Sequence, residues 1–484
     1  ASVTSSPESI TFTANETSGA SSATATDATN VSIVTETVTN STGLVHKDTE
    51  VQGAISVYND SVTQSHSVNI SVQAGGSGRT LQGLEYLVNY PYGCVEQTTS
   101  AFLGALETDQ YYRDRPDSDI SDSRQERING SIEQGINRLN QNGLRGQQPD
   151  GSWNMWGQTG VPGDTFYSVY ALYGTTEVAT DSIYGPKTTN SLDQIDFDQA
   201  ITWLNDEDQN ADGSFDAYAY IEDPEAMTGF TMVAVNTTAQ TDRVSSATQA
   251  NITELQGEGI EYLLSEQQSS GAWNNGDARS TALATRGLQV ALENGAAAEA
   301  DASTADIQAA IDDGKQWLIE NQNEDGSWEP YHDSSFYNEE GDRSVTTAYA
   351  VLALNEAGVP AENATITSGT SYLIDIYEAD GSWGYPRATA IAIEALDELT
   401  DSADSGTMTI TFDGADGTVT ETVTVNADQP EATITLDETQ LETLRGDGAG
   451  TTMVNVTITD DGSSGTIIIG IESAQEITVG GDSQ

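Results

Sequence analysis

Hydrophobic and polar positions divide the chain into three stretches. From residue 79 to about 400, apolar residues recur at helical spacing and two kinds of helix alternate. One kind is amphipathic, as where Ile307, Ile311 and Leu318 are set against Asp312, Lys315 and Glu320. The other is apolar and alanine-rich all round, as in Val345 to Leu354 and Ala388 to Leu396. A stripe asks for burial on one side and an all-round apolar helix on every side, so the first kind is expected outside and the second inside. Residues 1–78 and 401–484 alternate β-branched with polar residues, as in Val68-Asn-Ile-Ser-Val72 and Met408-Thr-Ile-Thr-Phe412. That is the period of strands with one buried face, and one or two β-sandwiches are expected there. The first residues, to about 25, are poor in hydrophobics and read either as disordered or as a strand given to a neighbour's sheet edge.

Two phrases recur in fixed order through the helical stretch. The first is Gly-x-x-Tyr/Trp-Leu, at Gly83–Leu87, Gly259–Leu263, Gly314–Leu318 and Gly369–Leu373, with looser copies at Gly135–Leu139 and Ala200–Leu204. The second is a tight turn ending in an aromatic, as in Gln148-Pro-Asp-Gly-Ser-Trp153 and Gln322-Asn-Glu-Asp-Gly-Ser-Trp328, with further copies ending at Phe215, Trp273 and Trp383. The glycine of the turn supplies the positive φ that ends one helix, and the Asp or Ser caps the start of the next element. Two helices therefore fit each period, and the repeated aromatics read as core wedges at the turns. One period before Trp153 lies Cys94, which makes six repeats. The predicted fold is mainly α, a ring of six hairpins forming an α/α toroid, flanked by β-sandwich segments.

Composition changes the picture of the surroundings. Acidic residues number 76 against 16 basic ones, a formal net charge of −60. The surplus runs the whole length, which fits a solvated surface suited to high salt and predicts a halophilic source. It also argues against nucleic acid or an anionic membrane as partner. Cys94 is the single cysteine, so an intrachain disulfide and a multi-cysteine metal site are excluded. No stretch approaches the ~18 apolar residues of a membrane span, so the chain reads as soluble, or as the mature or excised part of something longer. Sequons at Asn15, Asn69 and Asn455 are glycosylation candidates compatible with export.

The reactive residues stand in Tyr90-Pro-Tyr-Gly-Cys94-Val-Glu-Gln97-Thr-Thr-Ser100. Pro91 and Gly93 break the preceding helix, and the run from Thr98 leads into the next. The Cys94 thiol and the Gln97 carboxamide are thus three residues apart at a helix start, close enough to touch. A helix N-terminus is expected to favour thiolate over thiol.

Pro91-Tyr-Gly-Cys94-Val-Glu-Gln97-Thr98 resembles the thioester motif of bacterial alpha-2-macroglobulins, in the alpha-2-macroglobulin and complement family, and Gly83 to Leu87 resembles the helix leading into it. The resemblance implies that Cys94 and Gln97 condense, with loss of ammonia, to a thioester that a nucleophile opens. It implies also that the toroid is inserted into a CUB-like β-sandwich, so that the two flanks pair into one domain. Glu96 stands at the family's glutamate position without a role assigned by sequence. Tyr90, Tyr92 and Phe102 are candidates to shield the bond from water. In some members a histidine first takes the acyl group. His332, in the loop after Trp328, is either such an acyl-transfer aid or a solvent-exposed loop histidine.

On this reading the chain is not an enzyme and needs no cofactor or metal. It is an exported, extracellular or cell-surface protein that attaches covalently to hydroxyls or amines on a target surface. The scarcity of lysine expected of high-salt proteins favours glycan hydroxyls. The alternative is a structural subunit of an archaeal-type filament or surface layer, self-assembling through its β flanks, with the thioester a crosslink or relic. Terpene cyclases share tryptophan repeats on a toroid, but their Asp-x-Asp-Asp acid motif is missing here. The Asp206–Gly213 stretch lacks the full pattern of a cation loop and reads as solvated.

Overall fold

The computed structural model describes residues 33–45, 50–58, 63–90, 93–113, 122–216, 221, 223–330, 339–376, 381–399, 406–425, 431–445, 451–460 and 467–479. The chain divides into two units: Gly75–Asp404 with Ala427–Gln429, and Ala1–Ala74 with Ser405–Asn426 and Pro430–Gln484.

The first unit is helical. Its elements are α1 (Gly75–Asn89), α2 (Val95–Arg113), α3 (Asp122–Leu139), α4 (Thr165–Thr180), the short α5 (Tyr184–Lys187) and α6 (Thr189–Leu192), and α7 (Phe197–Trp203), which runs into a π turn at Leu204–Asp208. Then come α8 (Pro224–Ala239), α9 (Ser246–Glu266), α10 (Ala278–Glu293), α11 (Thr304–Glu320), α12 (Glu339–Glu356), α13 (Ala364–Asp375) and α14 (Pro386–Leu399). Helices α2, α4, α8, α10, α12 and α14 pack in that order, each on the next, and α14 packs on α2 again. These are the helices buried on nearly every side, charged residues such as Glu96, Arg286 and Glu394 included, and α4 is buried along almost its whole length. The amphipathic helices pack outside the series, and α11 buries Ile307, Ala310, Ile311, Gly314 and Leu318 on one stripe. Helix α1 starts at Gly75, four residues before the boundary expected from sequence. Gly75, Gly76 and Gly78 fall within the flank expected to be β-rich, and glycine costs a helix roughly 1 kcal/mol relative to alanine; packing of α1 on α2 and α14 overrides that preference.

One set of contacts explains why the two sequence phrases travel together. The indole Nε1 of each turn tryptophan donates to the carbonyl of the leucine that ends the preceding phrase: Trp153 to Leu139 at 2.9 Å, Trp273 to Leu263 at 2.7 Å, Trp328 to Leu318 at 2.9 Å and Trp383 to Leu373 at 2.7 Å. The backbone N–H of the same aromatic donates to a hydroxyl of the following inner helix, as Trp153 to Ser168 Oγ (2.8 Å) and Phe215 to Thr228 Oγ1 (3.0 Å). A glutamine four residues before the turn glycine ties one repeat to the next. Gln322 Nε2 donates to Gly326 O and to Thr365 O, both at 2.9 Å, and Gln147, Gln209 and Gln267 repeat the pattern. In the first copy the bridging residue is therefore Gln147, not the Gln148 with which the sequence phrase opens. Gly326 has φ +89°, and a Cβ there would run into the Ser368 carbonyl of the next outer helix, so glycine is required twice over.

The second unit is two four-stranded antiparallel sheets, ordered β1-β8-β3-β6 and β2-β7-β4-β5. Strands β1 (Ile33–Val45), β2 (Glu50–Tyr58) and β3 (Thr63–Ala74) come from the N-terminal flank; β4 (Gly406–Asp413), β5 (Thr418–Val425), β6 (Glu431–Thr435), β7 (Thr451–Asp460) and β8 (Ile467–Val479) come from the C-terminal one. Both flanks contribute to both sheets. Alternate residues of each sheet point into one apolar core, among them Ile70 and Val72, Ile410 and Phe412, and Val454 and Val456. Helix α15 (Glu438–Leu444), held by a capping box between Asp437 and Gln440, adds Leu441 and Leu444 to that core. The period-two pattern of the flank hid it, because one seven-residue helix is too short to show a helical period. Asn455 is exposed on β7, Asn69 on β3 accepts from Thr435 Oγ1 at 2.9 Å, and Asn15 lies outside the described residues.

Candidate functional site

Cys94 is the N-cap of α2: its carbonyl accepts from the Thr98 N–H at 2.9 Å, the first bond of the helix. Gln97 is then the third helical residue, and the two side chains exchange contacts with each other's backbone. The Gln97 N–H donates to Cys94 Sγ at 3.5 Å, and the Cys94 N–H donates to Gln97 Oε1 at 3.2 Å. This is a capping box with a thiol where serine or threonine commonly stands. The three-residue spacing follows from helix geometry, and through it each side chain reaches the other residue's backbone N–H. Cys94 N–H also polarises the carbonyl whose carbon the sulfur would attack.

The approach to Cys94 is held by groups distant in sequence. The Gly93 carbonyl accepts from Arg138 Nη2 at 3.1 Å and from Arg145 Nε, and the Val95 N–H donates to the Met155 carbonyl at 3.0 Å. Arg145 lies over the Trp156 ring, 5.2 Å from its centre. Cys94 is completely buried, whereas Met155 and Trp156 beside it are partly exposed. Nothing in the motif announced this second layer, because Arg138, Arg145 and Met155 carry no local signature.

Glu96 is 2% exposed. Its carboxyl meets the Cys94 thiol (Sγ to Oε2, 3.8 Å) and the Ser100 hydroxyl (Oγ to Oε1, 3.2 Å), and it accepts from the Arg387 backbone N–H at the start of α14. Ser100 Oγ shares a hydrogen bond with Tyr170 Oη at 3.0 Å, and Arg387 Nη2 donates to Tyr349 Oη at 2.8 Å. Burial pushes the Glu96 carboxyl up to about 7, against the pull of Arg387 and Ser100. The Cys94 thiol moves the other way from the sequence expectation. Burial first, and the Glu96 charge second, push it up to about 11, and the lowering by the backbone N–H groups of Gln97 and Glu96 does not offset them. At neutral pH the group is a thiol, so attack by sulfur needs an acceptor for its proton.

The proposed shields separate. Tyr90 is half-buried, edge-on to Tyr86 with ring centres 5.4 Å apart. Phe102 is fully buried about two helical turns beyond Cys94, its ring in the space left by Gly135 and Gly174. Tyr92 and His332 lie outside the described residues. In the Asp206–Gly213 stretch, Asp212 Oδ1 accepts from Ser214 Oγ at 2.7 Å, and among the described residues no group of three or more His, Cys, Asp or Glu is arranged to hold a metal. No helix among them is long and apolar enough to cross a membrane.

Residues 55–240 match the family model of the A-macroglobulin TED domain, and residues 285–394 that of the squalene-hopene cyclase C-terminal domain, an α/α-toroid family. No curated protein matches the chain. Among solved structures, native alpha-2-macroglobulin from Escherichia coli, spanning domain MG7 to the C-terminus, is 14% identical with a TM-score of 0.46 over 92% of this chain and 57% of that one. Salmonella alpha-2-macroglobulin reacted with methylamine is 14% identical with a TM-score of 0.47 over 91% of this chain and 24% of that one. The chain thus spans about half, or a quarter, of the length of these proteins. Over the segment that carries Cys94 and Gln97, the chain is similar to the TED domain of the alpha-2-macroglobulin family.

Proposed function

We propose that Cys94 and Gln97 close an internal thioester and that the chain uses it to attach covalently to a nucleophile on a target surface, outside the cell. The observation that carries this is the reciprocal contact of Cys94 and Gln97 at the start of α2, each side chain on the other's backbone N–H, with Cys94 fully buried. In closing, Sγ bonds to Cδ of Gln97 and the carboxamide nitrogen leaves as ammonia. A hydroxyl or amine then attacks Cδ, the carbon–sulfur bond breaks, and an ester or amide at position 97 is left with a free thiol at Cys94. The match of residues 55–240 to the TED model supports the reading, as does methylamine as the reagent named for the Salmonella relative.

The scaffold belongs to the same proposal: a six-hairpin α/α toroid, in which α14 returning to α2 closes the ring, carried on a CUB-like sandwich built from both flanks. Its acid surface suits a halophilic source. The cyclase-like tryptophans serve the turns, since each indole N–H is spent on a leucine carbonyl. Intact-mass measurement of protein never exposed to amines tests the reading. A mass lower by one ammonia, and a methylamine adduct at Gln97 after treatment, are expected. An unmodified mass with an unreacted thiol overturns it, and polymers forming without any adduct would favour a structural surface subunit.

A further inference from the structure

Resting on the thioester reading, we infer that Glu96 is the proton carrier of the site: it takes the proton of the Cys94 thiol as the bond closes, hands it to the departing nitrogen, and returns a proton to sulfur when the bond opens. Three observations converge on it. The thiol is held as a thiol by its own burial, so it cannot act without a base. The carboxyl is in hydrogen-bonding contact with the sulfur, 3.8 Å from Oε2. It is also enclosed, and its other contacts, Ser100 Oγ on Oε1 and the Arg387 N–H, orient it.

The surroundings decide which charge states are available. Facing Glu96 or Cys94 are Tyr170 from α4, Arg387 from α14 and Arg145 from the loop after α3; Tyr349 from α12 stands behind Arg387 and accepts from its Nη2. Burial drives the Tyr170 hydroxyl well above its ordinary range, and Arg387 stays cationic, so neither accepts a proton near neutrality. Arg145 and Arg387 carry no basic site either. Glu96, raised to about 7, is the one group in this set that exchanges a proton at neutral pH.

The steps balance. The Sγ–H proton passes to Oε2 of ionised Glu96, and the sulfur pair attacks Cδ of Gln97. The oxyanion so formed is met by the Cys94 N–H, which already contacts Oε1. As the Cδ–Nε2 bond breaks, neutral Glu96 protonates the nitrogen, which leaves as ammonia, and the carboxylate is restored. In opening, the incoming hydroxyl or amine loses its proton to Glu96 as it attacks, the Cδ–Sγ bond breaks, and Glu96 protonates the thiolate.

The test compares wild type, Glu96→Gln and Glu96→Asp as full chains. It measures the fraction closed by intact mass and the rate of methylamine adduct formation between pH 5 and 9, referred to the free amine. Wild type is expected to show a step in opening rate near pH 7. E96Q should lose the step and open at least about 100-fold more slowly, the scale of a general base, and E96D should recover part of both. Equal rates and profiles in wild type and E96Q overturn the inference. If E96Q fails to fold by circular dichroism, Ser100→Ala, which frees the far oxygen of Glu96, must shift the step; an unmoved step overturns the inference. If wild type holds no thioester, the proposed function itself fails, and Cys94 alkylation by iodoacetamide judges Glu96 independently. A step near pH 7 that E96Q abolishes supports it, and matching profiles sink it.

Discussion

Gly83 in α1 and Trp383 in the turn before α14 meet across 300 residues of chain: a Cβ on Gly83 would lie 3.1 Å from the indole ring and 2.9 Å from Ile393. The same fit joins Trp273 to Gly314 and Trp328 to Gly369, where the corresponding distances are 2.9 and 3.1 Å. Each tryptophan thus presses on the glycine of the next outer helix, and for Trp383 the next outer helix is the first.

Substitution at this joint separates volume from hydrogen bonding. Trp383→Ala removes a fully buried indole and its bond to Leu373, and a loss of about 3–5 kcal/mol in denaturant unfolding is expected. Gly83→Ala overfills the same gap and should cost about 1–3 kcal/mol. A change below ~0.5 kcal/mol in both would mean that the two ends do not depend on each other.

Gln322 bridges two repeats through carbonyls of Gly326 and Thr365. Its replacement by alanine leaves both without their partner, and a destabilisation of about 1–3 kcal/mol is expected. Gln316, which donates to Glu320 on the exposed face of α11, is the control, with an expected effect of about 0.5 kcal/mol or less. Equal losses in the two variants would contradict the bridging role.

Arg145 anchors the Gly93 carbonyl just before Cys94. Loss of a charged donor of this kind is worth about 1.5–3 kcal/mol, so Arg145→Ala should raise the rate at which small thiol reagents reach Cys94 by roughly tenfold or more. Mass spectrometry of the time course reads the effect directly, and an unchanged rate would show that Arg145 does not hold the entrance shut.

Stability should fall as pH rises from 5 to 8. Glu96 and Asp223 are pushed up by burial to about 7 and about 6 from ordinary values of 4.5 and 3.8. The folded state holds these protons more tightly, so the contribution is fully present below about pH 4 and lost as pH passes through 6 and 7. Asp181 and Asp198, held low by hydrogen bonds, act in the opposite sense, but below pH 4. Thermal melting at fixed high salt checks this; a melting temperature that climbs across the window would refute it.

The net charge of −60 makes salt a stabiliser. Screening shortens the reach of repulsion from about 10 Å at 0.1 M to about 3 Å at 1 M. The melting temperature in sodium chloride should therefore rise steeply over that range and more slowly above it. A flat response would remove the physical argument for a high-salt habitat.

Much of the architecture is legible in the chain alone. The spacing of Trp153, Phe215, Trp273, Trp328 and Trp383, and the contrast between striped and uniformly apolar helices, are local periodicities, and local periodicity is what sequence displays. Helix α15 and the start of α1 at Gly75 are not legible, since the first is too short for a period and the second runs against glycine's own preference. The register of Gln147 in its turn is hidden by an adjacent Gln148, and only the carbonyls it meets distinguish them.

At the site, local spacing already makes neighbours of Cys94 and Gln97, because three residues at a helix start leave little choice. Tertiary structure decided everything about their environment. The thiol is raised and not lowered because α14, α4 and the loop carrying Met155 exclude water from a helix end that would otherwise favour charge. Glu96 becomes a neutral-range acid for the same reason. Desolvation depends on what the rest of the chain brings alongside, and no local motif encodes that.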